Sequence, residues 1–317
     1  MRVTCRPVEI HIGHGHLAER HFVFIFVIGM KHIMTILASA IVLASCSLGG
    51  VCDATLSSTY EESNPLVSLN ISLEVPAGED EVSLAVRAAL LDTLRSELGQ
   101  LAFCEEPAEI GACDASASSA LGSSAPSDLD AVVACYGKSS FGNLTALASD
   151  DARQRAEYGA EGDFPSWDCC CNIRMVSATP AYWVYRSWNS VYLGGAHGGV
   201  TGAGYITFRK SDGRALKGIV DASRTIELQP VLRGGVIDYL NGCLEEVSDA
   251  ELDSYLFVED GIIPLPRHEP YPAAEGLVFV YQQYEIAPYA MGMPEFTVPY
   301  DVIREYLSDE AKDLLGL

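Results

Sequence analysis

An α+β fold, an antiparallel sheet packed with helices, is predicted by three stretches of the sequence. Val67, Leu69, Ile71, Leu73 and Val75 alternate with Ser68, Asn70, Ser72 and Glu74, the period-two pattern of a half-buried strand. Residues 79–101 then carry Val82, Val86, Ala89, Leu90, Leu94, Leu98 and Leu101 on one helical face. The second half is richer in strands, with runs at 169–177 and 181–192 joined by Ala178-Thr179-Pro180, a hairpin signal. A strand-helix opening followed by mixed strands and helices belongs to the α+β class.

The elements follow in order. Pro76-Ala77-Gly78 ends the first strand, and Glu79, Asp80 and Glu81 open the helix where its dipole favours anions. Residues 111–127, rich in Ala, Ser and Gly, read as a surface insertion. A helix over 127–158 follows, with Ser127 or Asp128 as N-cap and a break near Gly137 to Gly142. Gly159 to Asp168 reads as a loop. After the hairpin, Gly194 to Gly199 breaks the chain and Tyr205 to Arg209 resumes a strand, closed by a turn at Ser211-Asp212-Gly213-Arg214. Residues 226–243 predict a helix, which Gly234-Gly235 weakens by about 1 kcal/mol per glycine. A strand over Leu277–Tyr284 and a closing helix over 300–315 complete the chain. There is no internal repeat.

Residues 1–45 read as a targeting segment rather than as fold. Met30-Lys31-His32 forms a short basic start, and Met30 is the better initiator than Met1. Ile33 to Ser45 is apolar or small throughout. As a helix it reaches roughly 20 Å, short of the ~30 Å hydrocarbon core, which fits a signal peptide. The segment ends Leu43-Ala44-Ser45-Cys46, a lipobox pattern that makes Cys46 the expected lipidation site. With two or three acyl chains the anchor would be stable. A spanning helix over Phe22–Ser45 is the competing reading, and ranks second because a central lysine costs about 3 kcal/mol. Residues 46–64, rich in Ser, Gly and acids, read as the tether from the lipid. The expected location is the bacterial cell envelope, periplasmic or on the outer membrane.

Composition excludes some functions. The 317 residues are 49% apolar, enough for a core and about two domains. The chain carries 20 basic and 43 acidic residues, a net charge of −23. Removing residues 1–45 leaves −25. Nucleic acid is not an expected partner, since phosphate binding needs a basic patch. A charged partner should be basic. Beyond Cys5 and Cys46, eight cysteines remain, an even number that predicts disulfides in an oxidising compartment. Connectivity is open, with Cys104 and Cys113 the first local pair to consider. In Cys169-Cys170-Cys171 the outer two share one strand face and Cys170 takes the other. No CxxC or neighbouring histidine supports a metal site there, and no cofactor is expected.

Two segments stand out: Tyr192-Leu193-Gly194-Gly195-Ala196-His197-Gly198, and Tyr284-Glu285-Ile286-Ala287-Pro288-Tyr289-Ala290-Met291-Gly292 followed by Phe296-Thr297-Val298-Pro299-Tyr300. With the opening strand and helix, they resemble the RsiV-like extracellular domain family (DUF3298, often preceded by a DUF4163-like part). The resemblance covers roughly residues 60–310. It divides the chain into a DUF4163-like part at 65–165 and a DUF3298/RsiV-like domain at 166–317. It implies an α+β envelope domain tethered outside the membrane. In the best-understood member type, an anti-sigma factor, the outer domain binds lysozyme; some members are fused to a peptidoglycan deacetylase. Only 45 residues precede Cys46, with no anti-sigma segment evident and no deacetylase domain. What carries over is a non-catalytic ligand- or protein-binding module, with lysozyme as the leading basic partner.

The expected ligand-binding residues are Gly194, Gly195, His197, Tyr284, Glu285, Pro288 and Tyr289. Glycines permit positive φ and close backbone approach, Pro288 stiffens the loop, and tyrosines suit binding surfaces. A basic lysozyme would be steered to an acidic body. The bland alternatives are a plain glycine turn, a buried His197 bonded to a carbonyl or to Glu285, and tyrosines 281, 284, 289 and 300 as core. No catalytic residue is assigned. The enzyme alternative is a hydrolase with His197 as base oriented by Glu285. His268 is the only other histidine after Cys46, Ser190 is near His197 only in sequence, and no nucleophile elbow, HExxH, P-loop or dinucleotide fingerprint is present. A structural lipoprotein is the third reading.

Overall fold

A computed structural model describes residues 43–45, 53–101, 126–159, 165–195, 199–243 and 247–317. Cys46, Cys52, Cys104, Cys113 and His197 lie outside the described residues, as do most of the 111–127 insertion and residues 1–42. The protein is of α+β class, as expected. Five long strands form the main sheet: β2 (Asp53–Ser63), β3 (Val67–Pro76), β4 (Trp167–Ala178), β5 (Tyr182–Tyr192) and β6 (Val200–Arg209), in that order. A three-residue β1 (Leu43–Ser45), inside the segment read as a signal, pairs with Asp53–Thr55 of β2.

All neighbours in this sheet are antiparallel except β3 and β4. That exception follows from the chain path. Between β3 and β4 run two helices, α1 (Glu81–Leu101) and α2 (Pro126–Glu157), and a crossover of that length returns the chain in the same direction. The helices pack on one face only. Val86, Leu90, Leu94 and Leu98 of α1 and Val132, Val133 and Leu144 of α2 join Leu69, Ile71, Leu73, Ile173, Tyr185 and Phe208 of the sheet in one core. Asp80 caps α1 by accepting from the Ser83 amide at 3.0 Å. The buried Arg87 fastens α1 to the turn before it, donating to the carbonyls of Pro76 at 2.7 Å and Gly78 at 2.8 Å.

The segment read as a tether is corrected here, since residues 53–63 of it form a full strand, β2. Its core-facing positions include Leu56, Ser58 and Tyr60, and the serine interrupts the apolar alternation that marks a strand. The predicted break near Gly137–Gly142 is also absent. The α2 helix continues through both glycines, because burial on one face outweighs about 1 kcal/mol per glycine. The strand expected at Tyr205–Arg209 begins earlier, at Val200.

A second core is built from residues 216–317. Helix α3 (Gln229–Cys243) buries Leu232, Val236 and Leu240 against a small antiparallel sheet of β7 (Tyr271–Pro272), β8 (Gly276–Val280) and β9 (Glu295–Pro299). A short helix α4 (Asp249–Leu252) follows α3. Its neighbour Asp253 and Asp249 itself both pair with Arg233 of α3. The strand predicted over Leu277–Tyr284 stops at Val280, and Tyr281 turns into a loop. The closing helix divides into α5 (Tyr300–Ile303), a 3-10 turn at Arg304–Tyr306, and α6 (Asp309–Leu315). Extended Leu307 makes the break, and the Ser308 side chain starts α6 by accepting from the Ala311 amide at 3.3 Å.

The two glycines of α3 have opposite meanings. A Cβ on Gly235 would come within 2.2 Å of the Phe296 ring, while one on Gly234 meets nothing within 4 Å. Gly234→Ala should therefore stabilise by about 1 kcal/mol through helix propensity, and Gly235→Ala should destabilise by about 1–3 kcal/mol through overpacking. Denaturant unfolding of the two variants checks both signs.

Candidate functional site

The two sequence motifs meet at the free edge of β6. One side of that strand pairs with β5. On its other side the backbone is covered by the loop that follows β8, residues 281–294. The Gln282 amide lies along the strand, its oxygen accepting from the Ala203 amide at 2.9 Å and its nitrogen donating to the Ala203 carbonyl at 2.8 Å. Gln283 accepts from the Thr201 amide at 2.9 Å. Tyr289 donates its hydroxyl to the Gly199 carbonyl at 2.8 Å, joining the end of the glycine run to the aromatic loop. Further along, Tyr205 of β6 stacks on Tyr271 of β7 with ring centroids 3.9 Å apart. The Leu216 amide donates to the Thr207 carbonyl at 2.7 Å.

The loop is held from inside as well. The Tyr281 amide donates to Pro294 at 2.9 Å and the Tyr281 hydroxyl to Pro264 at 2.8 Å. Burial pushes the Tyr281 phenol well above its ordinary range. Both oxygens of Glu285 brace backbone: one accepts from the Gln282 amide at 2.7 Å and the other from the Arg267 amide. Tyr239 of α3 donates to the Met291 carbonyl at 2.8 Å. Pro288 precedes a 3-10 turn at Tyr289–Met291.

Tyr284 is the unusual member. The Glu285 amide donates to the Gln282 carbonyl at 3.1 Å, so Tyr284 is the third residue of a four-residue turn. Its φ is +63°. Glycine or asparagine is the usual occupant of a positive-φ third position, and a bulky side chain there costs about 1–2 kcal/mol. The ring nonetheless points outward, 58% exposed, with its centroid 5.7 Å from that of Tyr289. Two further apolar side chains are displayed by segments bonded to or next to these. Val200, next to Gly199, is 51% exposed. Phe257 is 61% exposed, and its amide donates to the Ile286 carbonyl at 2.8 Å.

The expected residues thus separate. Tyr284 and Tyr289 come together at the surface, and Tyr289 reaches the glycine run at Gly199. Glu285 and Pro288 shape the loop from within. Gly194, with φ +68°, holds a tight turn, since a Cβ there would lie 2.5 Å from the Pro165 carbonyl oxygen. Gly195 accepts from the Tyr192 hydroxyl at 3.2 Å. Tyr281 and Tyr300 donate to backbone carbonyls of Pro264 and Ala273, the core and sheet-covering role. Gln282, Gln283, Val200 and Phe257 carry no motif, and only the contacts of the fold distinguish them.

The cysteine run is not a site. Cys169, Cys170 and Cys171 are free thiols, so the disulfide expectation does not hold for these three. Cys169 and Cys171 are buried in the main core and Cys170 is on the opposite face, as alternation requires. Burial pushes the Cys169 thiol up to about 12 and that of Cys171 well above its ordinary value. Among the described residues no group of three or more His, Cys, Asp or Glu is placed to hold a metal, and no helix is long and apolar enough to cross a membrane.

Residues 245–301 match the model of DUF3298, a protein family of unknown function. This span includes the aromatic loop but not the glycine run. A crystal structure of a DUF3298 family member from Bacteroides fragilis is similar at a TM-score of 0.58 and 17% identity, covering 83% of this chain and 96% of that one. A DUF3298 family protein from Pseudomonas aeruginosa gives a TM-score of 0.49 at 15% identity, covering 81% and 94%. No curated protein sequence matches the chain.

Gln282→Ala should cost about 2 kcal/mol or more by leaving the buried Ala203 amide and carbonyl without partners, and Tyr289→Phe about 1 kcal/mol. Chemical denaturation, with hydrogen exchange at Ala203 for the first variant, measures both.

Proposed function

We propose that this chain is an envelope lipoprotein, anchored through Cys46, whose body is a non-catalytic binding module. The observation that carries the reading is Tyr284, a bulky aromatic held at positive φ and displayed to solvent beside Tyr289. Strain of this kind persists only where the surrounding structure enforces it, and it concentrates at functional surfaces. Here the enforcement is visible in the bonds of Gln282, Glu285 and Tyr289. Paired tyrosines with Val200 and Phe257 nearby offer apolar area together with hydroxyl groups, the composition of a protein-recognition surface.

The partner we propose is a basic protein, with a lysozyme-type muramidase first. A net charge of −23 attracts a cation over a Debye length of about 8 Å at physiological salt, and the tyrosine pair supplies short-range contact. The hydrolase reading receives less support. Both oxygens of Glu285 already accept backbone amides, which leaves little for orienting a base.

Purified protein should bind lysozyme at low salt, with affinity falling as salt rises. Tyr284→Gly removes the ring and relieves the backbone, so binding should drop at least tenfold while the melting temperature holds or rises. Surface plasmon resonance and thermal melts read both. A wild-type protein that fails to bind lysozyme at low salt removes this partner, and a Tyr284→Gly variant that binds as well as wild type removes the tyrosine surface.

A further inference from the structure

A second feature lies on the other face of the main sheet, away from α1 and α2. Arg174 of β4 and Arg186 of β5 are directly opposite each other in the antiparallel register. Their neighbours along the strands, Ile173, Met175 and Tyr185, are in the helix-covered core, so both arginines lie on the opposite face, Arg174 exposed and Arg186 half-buried beside Tyr205. Side chains at such positions start about 5 Å apart, and like charges there repel.

Several other arginines are matched with carboxylates, Arg209 with Asp212 and Glu310, Arg224 with Glu227 and Glu305, Arg233 with Asp249 and Asp253, while Arg214, Arg267 and Arg304 are single arginines without an ion pair among the described residues. Arg174 and Arg186 make no ion pair and no side-chain hydrogen bond among the described residues. The Nε of Arg186 is buried without an acceptor. Its guanidinium lies over the Trp188 ring, 4.2 Å from the centroid, which fixes its plane and leaves its N–H edge to act. Glu295 of β9 is near enough for its charge to interact with Arg186, yet forms no ion pair with it.

We propose that Arg174 and Arg186 form a receptor for a carboxylate. Guanidinium groups at directly opposed strand positions can offer N–H donors to both oxygens of such a group. An incoming carboxylate would neutralise the repulsion across the strand pair by accepting from the terminal N–H groups. The negative charge of the body is screened within a Debye length, so the two local cations govern the last few ångströms. A peptide C-terminus and an acidic sugar carry the same group, and the site's chemistry serves either.

The test is isothermal titration calorimetry on the full chain at physiological ionic strength with five probes: a trialanine peptide, its C-terminal amide, an oligogalacturonate, its neutral carboxyl-reduced form, and inorganic phosphate. At least one acid should bind, with its neutral counterpart at least tenfold weaker; which acid binds identifies the source. Arg174→Gln and Arg186→Gln should each weaken that binding at least tenfold, and Arg186→Lys should not restore it. Because Arg174 is exposed, Arg174→Gln should also leave the ligand-free melting temperature unchanged or higher, by relief of repulsion. Absence of binding by both acids, or binding that survives Arg174→Gln, overturns the proposal. So does a lower ligand-free melting temperature of Arg174→Gln, which would make the pair structural. Tighter binding of inorganic phosphate through the same arginines would overturn the carboxylate assignment.

Discussion

The free edge of β6 is the constraint on which the arrangement rests. An exposed strand edge leaves a row of backbone donors and acceptors open to water or to another chain. In this protein the part of that row from Gly199 to Ala203 is closed by side chains instead of by another strand. Gln282 satisfies both backbone groups of Ala203, Gln283 satisfies Thr201, and Tyr289 reaches Gly199. A primary amide carries a donor and an acceptor side by side, so one glutamine can stand in for a residue of a neighbouring strand. These bonds join the core of residues 56–215 to the core of residues 216–317.

The surface features follow from that closure. Because Gln282 and Glu285 must meet the strand and the Arg267 amide, the chain between them turns sharply, and Tyr284 takes the positive φ the turn demands. The outward aromatic pair is the consequence of a buried polar network, which is strong only when all of its members are satisfied. The similarity to a Bacteroides fragilis structure at 17% identity extends over 83% of this chain. At that divergence it speaks for the fold and leaves the surface chemistry to this chain's own residues.

Much of the fold was legible locally. The β3 strand and the α1 face stood out because every second or every third to fourth residue is apolar. The hairpin of β4 and β5 was marked by β-branched and aromatic residues around Pro180. Where reading failed, a local signal was weak or misleading. Ser58 and its polar neighbours hid β2 inside an apparent tether. Paired glycines in α3 looked alike, yet Gly235 alone lies against Phe296. The closing helix appeared continuous because nothing in residues 304–308 forbids helix; the bond from the Ser308 amide to the Ile219 carbonyl is a long-range demand.

The candidate site divides in the same way. The sequence by itself singled out Tyr284, Pro288, Tyr289 and the glycine run, fixed the strong negative charge, and predicted that Cys170 would face away from Cys169 and Cys171, because composition and strand period are properties of the chain alone. Only the tertiary structure decided that Glu285 is an internal brace, that Gln282 closes a strand edge, and that Arg174 and Arg186 face each other without an ion pair among the described residues. Those facts depend on register and on contacts between residues as much as 79 positions apart, and a local pattern carries no information about which distant backbone group a side chain will meet.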